Sequence, residues 1–505
     1  MMTRRAMLAG TTALALTGAA RATSPELPAF SRAAVVDRAR DLASRGYMPR
    51  PTVPQDWQDL SYELYRSIWA RHDRALWYQS DVPYEVDFFH PGLYFPRAVK
   101  IHTVEDGRAM PVPFDMARFD RTDKVPELSL NDHMGYSGLR LRTELAEPGP
   151  KNEFCVFQGA SYFRAIGFGE AYGQSARGLA LKTGDPMGEE FPDFTEFWLE
   201  TPKPGQRNII VHALLDSPSV SGAYCFDITP GENCVMEVSA TLFPRTELRH
   251  VGLGPLTSMF LYDQTNRTRF DDFRPAVHDT DGLMIWNGAG EVLWRPLANP
   301  ERLQISAFVD QNPRGFGLMQ RARSLGDFAD LEADYHKRPC VWVEPTEDWG
   351  DGSVTLVEIP ADREIYDNIV AYWRPRTPMA AGSEVQLNYR LTWGETGPEN
   401  TGLPRVINTA MGSRHNGAVP LPGRIVTIDF EADPLFDDGP EAMTKHISSP
   451  HVETTEGVLQ RNPETGGLRL AFAFDPGDRQ MVELRAQLRK EGQMASEVWL
   501  YRWTA

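Results

Sequence analysis

Two carboxyl groups on rigid supports can divide acid–base work: a protonated one donates to a leaving oxygen, and an ionised one draws a proton from an attacking water. The chain holds 69 Asp and Glu residues, so residue type alone selects nothing and context must. Asp367 lies in Glu364-Ile-Tyr-Asp-Asn-Ile-Val-Ala-Tyr-Trp373, at the loop end of an apolar run, where a carboxyl can project from a rigid element into a cleft. Asp279 lies in Val277-His-Asp-Thr-Asp-Gly282, just ahead of the run that begins at Leu283. Each has a plainer reading, because an Asp before a strand also caps a turn by accepting backbone N–H groups. Glu364 is close enough in sequence to raise the pKa of Asp367 as a like charge, or it is simply solvated. His278 reads as a relay, a substrate contact or a structural histidine, and Asp281 competes with Asp279 for the same role. Ser175 and Ser217 lie outside any G-x-S-x-G, which argues against a serine nucleophile. No C-x-x-C and no His/Cys set with zinc spacing occurs, so neither a metal nor a cofactor is called for.

The elements that must position these groups read as strands. One helix is expected first, capped by Ser31, with Ala33, Val36, Ala39, Leu42 and Ala43 at helical spacing. A second short one is expected over 62–70. Beyond it, β-branched and aromatic runs alternate with Gly, Pro, Asp and Asn, as at 208–214, 235–242, 303–309 and 354–359. The run 283–286, then Asn-Gly-Ala-Gly, then 291–295 predicts a hairpin. Cys225 and Cys234 flank a Pro230-Gly231 turn, which leaves two readings: a cross-strand disulfide or two free buried thiols. A polar, turn-rich stretch near 396–403 marks a boundary. After it, strand candidates at 406–408, 424–431, 468–474 and 481–488 fit a small immunoglobulin-like sandwich. The expected fold is therefore all-β: a large multi-stranded β-sandwich over 23–395, a linker over 396–403 and the smaller sandwich over 404–505.

The first 22 residues read as an export signal, with Arg4-Arg5, an apolar small-residue run and an Ala20-Arg21-Ala22 cleavage pattern. The arginine pair followed by Leu8 fits the twin-arginine route. The run is too short to span a bilayer, and no other stretch approaches that length. The formal charge is −17 for the whole chain. Such a surface repels phosphate backbones and anionic membranes but tolerates a neutral polymer.

A set of dense motifs appears in order: Gly159-Ala-Ser-Tyr-Phe-Arg-Ala165, Tyr172-Gly-Gln-Ser-Ala-Arg-Gly-Leu179, Gly188-Glu-Glu-Phe-Pro192, Phe197-Trp-Leu-Glu200 and Leu214-Leu-Asp-Ser-Pro218. Pro255-Leu-Thr-Ser-Met-Phe260, Arg274-Pro-Ala-Val-His-Asp279, Asn312-Pro-Arg-Gly-Phe-Gly317 and Asp367-Asn-Ile-Val-Ala-Tyr-Trp373 follow. Together these resemble the periplasmic glucan biosynthesis G/D family, from about residue 23 to the C-terminus and most strongly through 395. The arginine-pair signal is more similar to the D branch.

The resemblance implies a periplasmic protein that makes or remodels osmoregulated glucans with a β-1,2-linked backbone. It implies Asp367 as general acid and Asp279 as a base working through a chain of waters, in an inverting cleavage. At Ile365 and Tyr366 the chain departs from the small polar residues frequent in relatives, which alters the local cleft shape. For a glucan ligand, flat rings and planar polar groups are the candidate contacts: Tyr162, Arg164, Tyr172, Arg177, Trp198, Glu200, Trp286, Trp294, Asn312 and Arg314. Arg177, beside glycines and a serine, reads either as lining a cleft from an exposed loop or as a structural ion pair. Three activities stay open at this point: an inverting β-1,2-glucan hydrolase, a transglycosylase or cyclising enzyme using the same pair, and a non-catalytic glucan-binding scaffold that contacts the membrane glucan synthase.

Overall fold

The computed structural model describes residues 29–145, 148–398 and 401–505, so the export signal called at 1–22 lies outside the described residues. The first helix forms over Arg32–Ala43, and the Ser31 hydroxyl accepts the Ala34 amide at 3.1 Å. The second is shorter than its spacing suggested. It covers Tyr62–Arg66, and Ile68–Ala70 instead pairs as a strand with Phe119–Arg121. The cause is local: the Ser67 hydroxyl donates to the Glu63 carbonyl at 2.8 Å and closes the last turn, while Ile68 and Trp69 favour an extended backbone.

Two large sheets make the main sandwich. One has ten strands and the other fifteen. Between them lies a core that takes Val86, Leu139, Phe157, Phe163 and Trp373 from the smaller sheet and Phe197, Val211, Phe226, Val238 and Leu391 from the larger. Alternation decides which side chains enter it. In Asp193–Glu200, Phe197 and Leu199 point inward, while Trp198 points to the outer face. Helix Arg32–Ala43 covers that outer face with Val35 and Ala39, so this strand is buried on both sides.

The expected hairpin forms as Gly282–Trp286 and Val292–Pro296. The strands around Pro230-Gly231 form as Val220–Thr229 and Cys234–Pro244, but the thiols are not partners. Cys225 faces Ser239, an odd number of positions from Cys234, so the two side chains leave opposite faces of the sheet. All four cysteines are free.

The C-terminal strands Thr444–Ser448, Met481–Lys490 and Val498–Thr504 extend the fifteen-stranded sheet, because Leu293 and Trp294 pair in parallel with Val498 and Trp499. A separate four-stranded sheet, in the order Val406–Asn416, Val419–Phe430, Leu468–Phe474, Val458–Arg461, packs over them. The resulting second core joins Val426, Ile428, Leu470 and Trp499 to Met284, Trp294, Met319 and Trp342 of the large sheet. One buried ion pair crosses the same junction: Arg321 Nη1 and Nη2 donate to the two Glu497 carboxylate oxygens at 2.7 Å each. The Glu497 side chain is fully buried.

Candidate active site

The two carboxylates singled out by context are held by a shared bracket. Asn368, next to Asp367, donates to the Phe260 carbonyl at 2.9 Å and accepts the Phe260 amide at 2.8 Å. His278, next to Asp279, is the register partner of the same Phe260. The Asp279 amide donates to the Met259 carbonyl at 2.8 Å. Phe260–Tyr262 therefore fixes both loops, and strand Ile369–Pro375 starts directly behind Asp367.

The pair is asymmetric. Asp279 is 4% exposed, whereas Asp367 is exposed to solvent. Burial pushes the Asp279 carboxyl up to about 6; the charge of Arg338 opposes the shift and that of Asp367 adds to it. Arg338 Nη1 donates to Asp279 Oδ1, and its guanidinium lies 4.5 Å from the Tyr335 ring centre. Arg338 Nη2 donates to the Ala333 carbonyl at 3.0 Å. Its stem passes so close to Gly173 that a Cβ there would stand 2.8 Å from Cδ. Gly173 is thus required by a close approach, not by its own backbone angles. On the other side, Arg164 Nη2 stands 3.9 Å from Asp367 Oδ2.

A second arginine organises the rim. Arg274 Nη1 lies 2.8 Å from Glu364 and 2.9 Å from Asp330, and its Nη2 lies 2.8 Å from Asp272. Glu364 is therefore tied to a cation and is not free in solvent. Ile365 and Tyr366 beyond it are exposed, and they shape the approach to Asp367.

The remaining candidates separate by environment. Tyr162 joins the site: burial pushes its hydroxyl up, and the charges of Glu189 and Asp367 add to that. Arg177 lies over the Tyr162 ring at 4.7 Å. Arg177 belongs to strand Ser175–Arg177, 5% exposed, and donates to Glu189 at 2.6 Å and to Thr257 at 2.8 Å. The ion-pair reading of Arg177 fits this, and the exposed-loop reading does not. His278 is buried between the Phe260 and Phe328 rings, and burial holds it neutral with a pKa near 3. Asp281 has partners of its own, accepting the Arg321 and Ala322 amides at 2.9 and 3.0 Å.

Tyr172 packs against the main core. Trp198 stacks on His102 beneath the N-terminal helix, and Glu200 accepts from His212 at 2.7 Å on that same outer face. Trp294 is buried under Arg321, 3.5 Å from its ring centre. Asn312, at φ +49°, accepts the Gly350 amide at 2.6 Å and closes a turn. Trp286 and Arg314 stack together at 5.2 Å, at the far end of strand Gly282–Trp286 from the carboxylate loop. Arg338, Tyr335, Asn368 and Arg274 carry the site without having been singled out for it. Only Asn368 and Arg274 lie inside the motifs that drew attention to the two aspartates.

The description "Periplasmic glucan biosynthesis protein, MdoG" belongs to a family model that matches residues 30–503. Glucans biosynthesis protein G of Vibrio cholerae serotype O1 is 48% identical over 481 residues, covering 94% of this chain and 87% of that protein. Its namesakes from Shewanella baltica and Shewanella frigidimarina are 46% and 47% identical, again over 94% of this chain and over 88% and 85% of theirs. A solved chondroitinase AC lyase aligns over 83% of this chain and 51% of its own at 9% identity, with a TM-score of 0.15, too slight to carry an argument. With a match across almost its whole length and relatives near half identity, the chain belongs to the MdoG family of periplasmic glucan biosynthesis proteins.

Proposed function

We propose that this protein works in periplasmic glucan biosynthesis by cleaving β-1,2-linked glucan with inversion, with Asp367 as general acid and Asp279 as base. The role in glucan biosynthesis has the support of relatives that share that name. The catalytic reading rests on one observation: a buried carboxylate, Asp279, whose pKa near 6 responds to the exposed carboxylate of Asp367. A base poised there is ionised at neutral pH and accepts a proton more strongly than an ordinary aspartate. Asp367 is exposed, next to the Arg164 guanidinium, and a bound sugar would cover it and remove water from around it. Because Asp279 is buried, it reaches the attacking water through intervening waters rather than by direct contact. This agrees with the role that family resemblance assigns to it.

Export through the twin-arginine route and contact with a membrane glucan synthase belong to the same proposal. The test is incubation of the full mature protein with linear β-1,2-glucan, followed by product sizing and determination of the new anomeric configuration. Shorter linear products of inverted configuration are expected, and Asp367→Asn should abolish them. Full activity in that variant would remove Asp367 as the acid. Larger or cyclic products would assign the same pair to transglycosylation, and tight binding without turnover would assign a scaffold.

A further inference from the structure

Trp286 and Arg314 do not reach the carboxylate pair. They open a trough of about 660 Å³ on the outer face of the fifteen-stranded sheet. Its floor crosses five neighbouring strands, from Gly282–Trp286 to Cys234–Pro244, a width of about 19 Å at the usual strand spacing. At one end it is walled by Gly397 and Pro398. On this face the C-terminal core covers Met284, Trp294 and Met319 and reaches Trp342 at the trough's base. Trp286 packs against the edge of that core, and among the described residues no C-terminal strand contributes to the trough lining.

From this arrangement we infer that the trough is a second, non-catalytic binding site for a segment of neutral β-linked glucan. The inference rests on the proposal that the protein handles such a polymer. Three features carry it. The Trp342 ring lies flat over two glycines, since a Cβ at Gly315 would stand 2.3 Å and one at Gly317 3.0 Å from ring atoms. Trp342 is itself buried in the second core, so it forms a rigid base, and half-buried Trp286 beside it is the ring that offers an apolar face to a pyranose. Next, Arg314 is exposed, and among the described residues it has neither an ion pair nor a side-chain hydrogen bond; the Trp286 ring holds its guanidinium with the N–H donors free. Five free donors in a fixed plane suit sugar hydroxyls. Finally, the charges balance. Arg314 and Arg390 are matched by Glu237 and Glu344, with Arg390 Nε donating to Glu237 at 2.6 Å. In a chain of net charge −17, a locally neutral polar trough fits an uncharged ligand and neither a polyanion nor a polycation.

The trough lies at the opposite end of strand Gly282–Trp286 from the catalytic loop, about 14 Å along the chain, so one glucan molecule can be gripped at a distance from where it is cut. The experiment measures retention of full-length protein by immobilised linear β-1,2-glucan in an Asp367→Asn background, with turnover measured in the wild-type background. Trp286→Ala and, separately, the exposed Arg314→Ala should each weaken retention about tenfold, the scale expected for losing one stacked ring or its guanidinium. Turnover of a short β-1,2-linked oligosaccharide should stay unchanged. Unaltered retention in both variants, with melting temperatures like the parent, overturns the inference. Arg314→Ala decides the matter alone if Trp286→Ala fails to fold. Cleavage by the wild type with unaltered retention removes the trough and leaves the hydrolase. Lost retention without any wild-type cleavage removes the hydrolase and leaves the trough.

Discussion

Asn368 grips both backbone groups of Phe260, with its amide nitrogen 2.9 Å from the carbonyl and its oxygen 2.8 Å from the amide N–H. Its nitrogen also donates to the Ile359 carbonyl at 3.0 Å, so one buried side chain holds three points around the base of Asp367. Phe260 in turn pairs with His278, next to Asp279. The separation of the two carboxylates is thus set by a residue that touches neither of them.

Asn368→Ala should lower kcat by about tenfold to a hundredfold, since small displacements of acid and base carry large rate costs. KM should change little. The unpartnered Phe260 groups should cost about 1–3 kcal/mol, read from chemical denaturation. If Asn368 only stabilised the fold, kcat per folded molecule would not move. That outcome would confine it to a structural role.

The pH profile should report Asp279. Its folded pKa is raised to about 6, so the base is ionised above that value and activity falls as pH drops through it. Arg338 favours the charged form of Asp279. Arg338→Met should therefore move the acid limb of kcat/KM to higher pH, and Arg338→Lys should restore part of the shift. An acid limb that stays in place in Arg338→Met would disconnect Arg338 from the titrating group.

Arg274 joins Asp272, Asp330 and Glu364 within 2.9 Å. Each of these carboxylates adjoins or nearly adjoins an exposed apolar residue: Phe273, Leu331 and Ile365. Arg274→Ala should loosen the three loops together and raise KM for polymer about tenfold, the effect of disordering a pre-arranged binding edge. Single removal of Glu364 should do less, because the other two partners remain. Equal KM values for Arg274→Ala and the parent would refute the shared anchor.

Arg321 and Glu497 couple the C-terminal strands to the half that carries Asp279 and Asp367, with the Val406 amide also donating to Glu497 at 2.8 Å. Glu497→Ala leaves a buried guanidinium uncompensated and should destabilise the protein by about 3–5 kcal/mol. Because both regions share one sheet and one core, we expect a single melting transition that shifts as a whole. Two separate transitions, with only the later one displaced, would show that the regions fold independently.

Much of the local structure was legible in the chain itself. Ser31 and the helical spacing behind it mark the first helix, and the period-two runs around Asn-Gly-Ala-Gly mark the hairpin at Leu283. Both are governed by neighbours a few residues apart. The placement of Asp279 and Asp367 at strand entrances was legible for the same reason. The partners of those carboxylates were not. Arg338 lies 59 positions from Asp279, and nothing in Tyr335-His-Lys-Arg338 distinguishes it from other surface-like sequence. Trp198 and Glu200 had the residue types of a sugar contact. Only the packing of Arg32–Ala43 on the outer face turned Trp198 into core. Arg177 beside glycines read equally as a loop residue and as a structural ion pair, and only strand pairing with Tyr162, which buries it, decided between them. The parallel pairing of Trp294 with Trp499, which makes one sheet of two sequence regions, has no local signature. Periodicity and turn chemistry act over a few residues and survive in the sequence. Which face is covered, and which charge meets which, is decided when distant strands close a core, and only the tertiary structure records it.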